Sequence, residues 1–221
     1  MTMPSAPQAL AAEADGYIIL RDAIPRAWVA DLQSSFDSNV RPADAWPVPR
    51  GSDLRHALVE GAPLVQRVCR LPVLVSAVCR LLHQPFFLAQ VEGREPLAGS
   101  GAQLLHRDGD GDVRGQIVSA LAFLDDFGPA NGATRLVPGT HRSDDPSDVA
   151  THPRAVTLKG EAGDILVFDA DLLHGGTRNA SGARRRSLLI SYFAETMRAS
   201  HAATQELRGV HMPPSETFGA S

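Results

Sequence analysis

Little in this chain points to an extracellular, membrane or nucleic-acid role. Only two cysteines stand among the 221 residues, too few for the disulfide framework of a small secreted fold. Both, Cys69 and Cys79, lie in the apolar stretch PLVQRVCRLPVLVSAVCRLL. If that stretch is helical they sit about 15 Å apart along the axis, beyond bridging distance, and read as small buried hydrophobes in a reducing compartment. No apolar run approaches the roughly eighteen residues of a membrane-spanning helix. The N-terminal MTMPSAPQALAAEADG has neither the basic start nor the continuous apolar run of a secretion signal. A cytoplasmic location is therefore expected. Positive charge is not in excess either: 21 Lys and Arg face 25 Asp and Glu, a formal net charge of -4, which excludes an electrostatic footprint for nucleic acid or an anionic membrane. There is no internal repeat and no low-complexity segment.

What is present suits one domain spanning residues 1–221, long enough to bury a hydrophobic core without staples. Up to residue 84, PRAWVADLQSSFDS and APLVQRVCRLPVLVSAVCRLLHQ carry helical spacing of apolar residues, the second broken at Pro72. Between them NVRPADAWPVPRGSD reads as a long loop, of a kind that often serves as a lid or substrate loop. From 85 to 200 the pattern changes to short apolar runs punctuated by Gly, Pro, Asn and Asp, the signature of a sandwich or barrel. The candidate strands are FFLAQVE, AQLLHRD, IVSALAFL, ATRLVP, RAVTL, DILVFD, LLHGGTR and RSLLISYFA. Eight strands suit a jelly roll. Residues 201–221 read as a frayed tail, and His201, His211, His141, His152 and His83 as surface or capping residues.

The stretch LLHRDGDGDVRG concentrates potential metal ligands. A calcium loop starting at Asp108 would use Asp108, Asp110 and Asp112, but it then needs Gly where Val113 stands, an apolar residue at Gly115 and a bidentate Glu at Ser119. That reading fails. His106 and Asp108, two apart, leave the same face of a strand and form half of a two-His-one-carboxylate iron site. A lone His-x-Asp pair carries little weight without a second histidine from a distant strand. His174 meets that need, since GDILVFDADLLHGG delivers it at a strand end and the two glycines permit close approach. Downstream, ARRRSLLISYF opens on three arginines, of which one facing inward would grip a carboxylate in two parallel hydrogen bonds.

These segments resemble the phytanoyl-CoA dioxygenase-like branch of the Fe(II)/2-oxoglutarate-dependent oxygenases. The resemblance rests on HRD at 106–108, NGATRLVPGTHR at 131–142, GDILVFDADLLHGGTRNAS at 163–181, the arginine opening the last strand, and the opening segment DGYIILRDAIPRAWVADLQ. It implies a mainly β fold with flanking α: a double-stranded β-helix (a cupin-like jelly roll) with N-terminal helices. It implies Fe(II) on His106, Asp108 and His174, with 2-oxoglutarate and O2 as co-substrates. The 2-oxoglutarate arginine, eleven residues past the distal histidine, falls on Arg185, with Arg184 and Arg186 turned away; Gln103 and Thr134 match further 2-oxoglutarate contacts. Strand alternation alone does not bring Gln103 to the ligand face. The carboxylate at Asp108 disfavours halogenation, whose enzymes have Ala or Gly there. The expected reaction is oxidation of a C-H bond of a small molecule, with 2-oxoglutarate converted to succinate and CO2, in bacterial specialised metabolism. Hydroxylation, desaturation, cyclisation and epoxidation stay open, as does oligomeric state.

Substrate candidates are Asp110 and Asp112, which otherwise form a solvated loop, and Trp46, Arg55 and His56 of the long loop and its end. Asp125, Asp126 and Asn131 read as turn formers. Two rivals are a non-catalytic jelly-roll binding module, against which the complete ligand set speaks, and a zinc hydrolase, in which an arginine placed for a dicarboxylate has no task.

Overall fold

The computed structural model describes residues 13–109, 113–209, 212 and 215–219. Helix α1 (Arg26–Ser38) starts after Pro25 and buries Leu32 and Phe36, four apart on one face. Pro72 divides the following apolar stretch as the sequence suggests. Helices α2 (Pro63–Val68) and α3 (Pro72–Leu82) each begin on a proline, whose missing N–H costs nothing in a first turn. His83 ends α3 in the left-handed conformation, its N–H donating to the Cys79 carbonyl.

Among the described residues ten strands follow the expected two-sheet plan: β1 (Tyr17–Leu20), β2 (Val40–Arg41), β3 (Leu54–Ala57), β4 (Phe86–Pro96), β5 (Ile117–Phe123), β6 (Thr134–Leu136), β7 (Val156–Thr157), β8 (Ile165–Asp169), β9 (His174–Gly176) and β10 (Ser187–Ala194). The large sheet runs β1-β8-β5-β10-β4-β3-β2 and the small one β7-β6-β9. All pairings are antiparallel. The large sheet is covered on both faces, so its strands read as continuous apolar runs. Val118, Ala120, Val167, Leu188 and Ile190 pack under the helices, while Leu121, Phe123, Leu166 and Phe168 face the small sheet.

Three features depart from the sequence reading. The first 84 residues are not only helix and loop: β1 extends one edge of the large sheet and β2 and β3 the other, because four- and two-residue strands are too short to show a period. AQLLHRD forms no ladder strand and contributes only single bridges at Leu105 and His106. The C-terminal segment is docked, not frayed. It forms α4 (Arg198–Ala203) and α5 (Gln205–Arg208), and Phe218 pairs with Phe86, their rings stacked at 5.4 Å. His201 is buried between Phe87 and Phe193, with Nε2 2.9 Å from the Ala89 carbonyl. His141 is buried as well. Both cysteines are free, Cys69 buried and Cys79 half-buried. Among the described residues no helix is long and apolar enough to cross a membrane.

Candidate active site

His106 and His174 meet across a two-residue antiparallel bridge. The His106 N–H donates to the His174 carbonyl at 2.9 Å and the His174 N–H returns the bond at 3.0 Å, so both side chains leave the same face and the ring centroids stand 4.6 Å apart. Asp108, anchored by its own N–H on the Ala170 carbonyl, reaches both rings: Oδ1 lies 3.5 Å from His106 Nε2 and Oδ2 3.3 Å from His174 Nε2.

The tautomers follow from what sits behind the rings. Nδ1 of His106 lies 2.9 Å from the Leu104 carbonyl and Nδ1 of His174 2.8 Å from the Leu172 carbonyl. A carbonyl only accepts, so each Nδ1 carries the hydrogen and each Nε2 presents a lone pair toward Asp108 when the ring is neutral. One donor atom from each of the three residues falls within a 4.8 Å cluster. Burial opposes ionisation of Asp108, yet the two imidazoles hold its carboxyl well below the usual carboxylate range. The Asp108 carboxylate in turn raises the His106 imidazole, with burial opposing. The cluster is built to hold positive charge, and Asp108, with 43% of its side chain exposed, keeps one side of it open.

The glycines after His174 have a specific task. A Cβ at Gly175 would stand 2.6 Å from the Leu104 carbonyl oxygen and one at Gly176 2.7 Å from that of Gly101. Residues 101–104 cross there, which is how His106 comes level with His174.

The three arginines separate cleanly. Arg184 pairs with Glu95 and Asp37, and Arg186 with Asp125 and Asp37. Arg185 turns the other way and lines the cavity that holds His106, Asp108 and His174. It is 6% exposed, its Nε and one terminal nitrogen have no hydrogen-bond partner among the described residues, and it stacks 4.5 Å over Phe127. Burial pushes its guanidinium down to about 10, with Glu95 opposing, so it remains charged at neutral pH. A buried cation with no hydrogen-bonded anion among the described residues is costly and would suit an anionic ligand.

Thr134 and Gln103 line the same cavity. Thr134 lies opposite Gly176 on β6. Gln103 reaches the cavity from the irregular crossing segment, where strand alternation does not apply, and its Oε1 accepts the Gly176 N–H at 2.9 Å. The loop residues are not brought into this wall. Arg55 pairs with Glu95, and Trp46 is buried with its ring edge against His56, itself buried. Asp110 and Asp112 lie outside the described residues. Two polar cavity residues were missed, Ser187 and Arg94. Ser187 had a signal, standing two residues past Arg185 at the start of a strand; Arg94, in an apolar strand already accounted for, had none.

Comparison with known proteins now decides the family. The family described as phytanoyl-CoA dioxygenase (PhyH) matches residues 12–187. The chain belongs to the phytanoyl-CoA dioxygenase family. Among curated relatives, dioxygenase cdmA of Talaromyces verruculosus is 29% identical over 80% of this chain and 68% of its own length. Dioxygenase olcK of Penicillium canescens is 34% identical over 80% of this chain and 66% of its own length. Among solved structures, HygX from Streptomyces hygroscopicus with nickel and 2-oxoglutarate bound superposes with a TM-score of 0.73 at 17% identity, covering 87% of this chain and 88% of that one; it shows the shared fold. As a member of the family this chain is a non-haem iron, 2-oxoglutarate-dependent dioxygenase. The residues present fit both groups: two imidazoles with Nε2 turned to the cluster and a carboxylate suit iron(II) with positions left open, and the orphaned Arg185 guanidinium suits a carboxylate.

Proposed function

We propose that His106, Asp108 and His174 hold Fe(II) on one face, that Arg185, Thr134 and Gln103 hold 2-oxoglutarate, and that the enzyme hydroxylates a C-H bond of a small molecule in specialised metabolism. The observation that carries the assignment is the unpaired guanidinium of Arg185, buried in the same cavity as the His-Asp-His cluster. A metal site alone suits a hydrolase equally well; a cation held free of any protein anion beside it suits a dicarboxylate co-substrate.

Iron bound there would supply the oxidative step that turns 2-oxoglutarate and O2 into succinate, CO2 and an oxidised substrate. The chain's own residues position and shield. The Leu104 and Leu172 carbonyls fix both histidine tautomers. Arg185 neutralises the far carboxylate of 2-oxoglutarate at the floor of the cavity, where Phe127 stacks under it. Leu121, Phe168 and Leu189 give apolar walls that keep water from the reacting centre. Retention of Asp108 leaves no vacated ligand position for a halide. A small-molecule substrate is in keeping with HygX, whose structure has also been solved with hygromycin B bound.

Succinate release measured across a panel of small molecules, with purified protein, Fe(II), 2-oxoglutarate and O2, tests the reading. Substrate-dependent succinate formation is expected in wild type and not in His174→Ala. Equal succinate from both proteins, or none with any compound while 2-oxoglutarate also fails to bind, would sink it.

A further inference from the structure

Asp169 closes β8 facing away from the metal. Successive residues of a strand point to opposite sides, and its neighbour Phe168 lines the cavity of His106, Asp108 and His174. Asp169 instead lines a second cavity of about 340 Å³, bordered by the end of α3 and by the segments that carry Arg114 and Arg142. Among the described residues none lines both cavities. The second one is large enough for a small molecule, and neither the metal nor 2-oxoglutarate occupies it.

The charges around it are of both signs and unmatched. Asp169 is 6% exposed. One of its carboxylate oxygens accepts the Asp171 N–H at 2.8 Å, and the other receives no hydrogen bond from any described residue. With its carboxyl raised to about 6, it is ionised above neutral pH. Glu13 adds a second carboxylate, and α3 presents its C-terminal end, whose carbonyls carry partial negative charge. On the positive side, Arg114 is committed to the Ser143 carbonyl and to Asp144. Arg142, which is exposed, has no side-chain hydrogen bond or ion pair with any described residue, although its charge bears on Asp169. A buried carboxylate and a guanidinium therefore face one cavity without reaching each other. Leu81 and Leu82 supply its apolar wall.

We infer that this cavity binds an apolar α-amino acid as the zwitterion, its ammonium on the free oxygen of Asp169, its carboxylate on Arg142 and its side chain along Leu81 and Leu82. An unpaired buried carboxylate is costly, and an ammonium removes that cost through a charge-assisted hydrogen bond. A guanidinium takes a carboxylate in two parallel bonds. A simple cation would stand beside Arg142 with nothing to offer it, and a simple anion would meet Asp169. A molecule that carries both charges answers both groups. The site is separate from the oxygenase centre and does not depend on that reading.

Titration calorimetry at pH 8, with the full chain loaded anaerobically with Fe(II) and 2-oxoglutarate, tests this. Leucine is compared with 3-methylbutylamine, which lacks the carboxylate, with 4-methylpentanoate, which lacks the amine, and with glycine, which lacks the side chain. Leucine should bind at least about tenfold more tightly than each. Arg142→Met should bind leucine no better than 3-methylbutylamine, and Asp169→Asn no better than 4-methylpentanoate. Arg142 is exposed and Asp169→Asn keeps an acceptor for the Asp171 N–H, so both variants should fold. The visible band of the loaded centre should not change on adding leucine, and metal-free protein should bind leucine equally well. No leucine binding by wild type overturns the inference, as does binding of wild-type strength in both variants. Equal affinity for 3-methylbutylamine and leucine would assign the cavity to a simple cation, and loss of the band would place leucine on the metal; either result also overturns it. A wild type that binds leucine and never develops the band would strike at the oxygenase reading alone.

Discussion

Replacing Arg185 by methionine should stabilise the ligand-free protein and abolish its response to 2-oxoglutarate. Burial pushes the guanidinium well below its ordinary value, down to about 10, which amounts to roughly 3 kcal/mol against the charged form at about 1.4 kcal/mol per pH unit. The stacking over Phe127 returns up to about 2 kcal/mol. Methionine fills similar space without charge, so a net gain of about 1–2 kcal/mol is expected in the absence of ligand. With ligand the order reverses. Wild type should gain about 2.7 kcal/mol at a 2-oxoglutarate concentration a hundred times the dissociation constant, while the variant, having lost the partner of one carboxylate, should gain almost none. Urea unfolding of Ni(II)-loaded protein, with and without 2-oxoglutarate, reads both effects. Arg184→Met is the control: it breaks a half-exposed pair with Asp37 and one of the two arginine pairs of the buried Glu95, which keeps Arg55, and should leave the increment intact. An Arg185→Met protein that is less stable yet keeps the full 2-oxoglutarate increment would refute the reasoning, as would loss of the increment in Arg184→Met.

Two further outcomes concern parts of the fold near the site. Burial raises the Asp169 carboxyl to about 6, the charge of Asp171 adding to it and the Asp171 N–H bond opposing. The native state therefore holds this proton longer than the unfolded chain, and stability falls as pH rises from about 4 through about 6, by at most roughly 3 kcal/mol. Asp169→Asn keeps an acceptor for the Asp171 N–H, so it should be more stable than wild type at pH 8 and equal to it at pH 4; a gain of the same size at both would contradict this. Gly175→Ala drives a methyl into the Leu104 carbonyl, and it should weaken metal binding at least tenfold by displacing His106, which an unchanged Ni(II) affinity would exclude.

The convergence of His106, Asp108 and His174 was legible because part of its spacing is local: His106 and Asp108 stand two apart, and HGG announces a crossing backbone that the Gly175 and Gly176 contacts make concrete. The inward arginine was legible through position along the chain, and the reason for it lies in Asp37, Glu95 and Asp125, which draw Arg184 and Arg186 to the opposite side. Strand pairing at the sheet edges was not legible. The edge strands β1, β2 and β3 span four, two and four residues, and pairing with distant strands, not local preference, makes them strands. Arg94 was hidden for a related reason. In FFLAQVEGREP alternate positions face opposite sides, and nothing local says that Glu92 and Arg94 share the cavity face until β10 is laid beside them. The docked C-terminus was missed because a few scattered contacts, Phe218 on Phe86 and His201 between Phe87 and Phe193, anchor an otherwise polar segment.

Anaerobic addition of Fe(II) and then 2-oxoglutarate to metal-free protein tests the central claim most directly. The His106-Asp108-His174 site with Arg185 at its floor predicts a visible metal-to-ligand charge-transfer band that requires both additions, is absent in His174→Ala, and needs far more 2-oxoglutarate in Arg185→Met. A wild-type protein that binds Fe(II) and develops no such band, or a band that persists in His174→Ala, would contradict it.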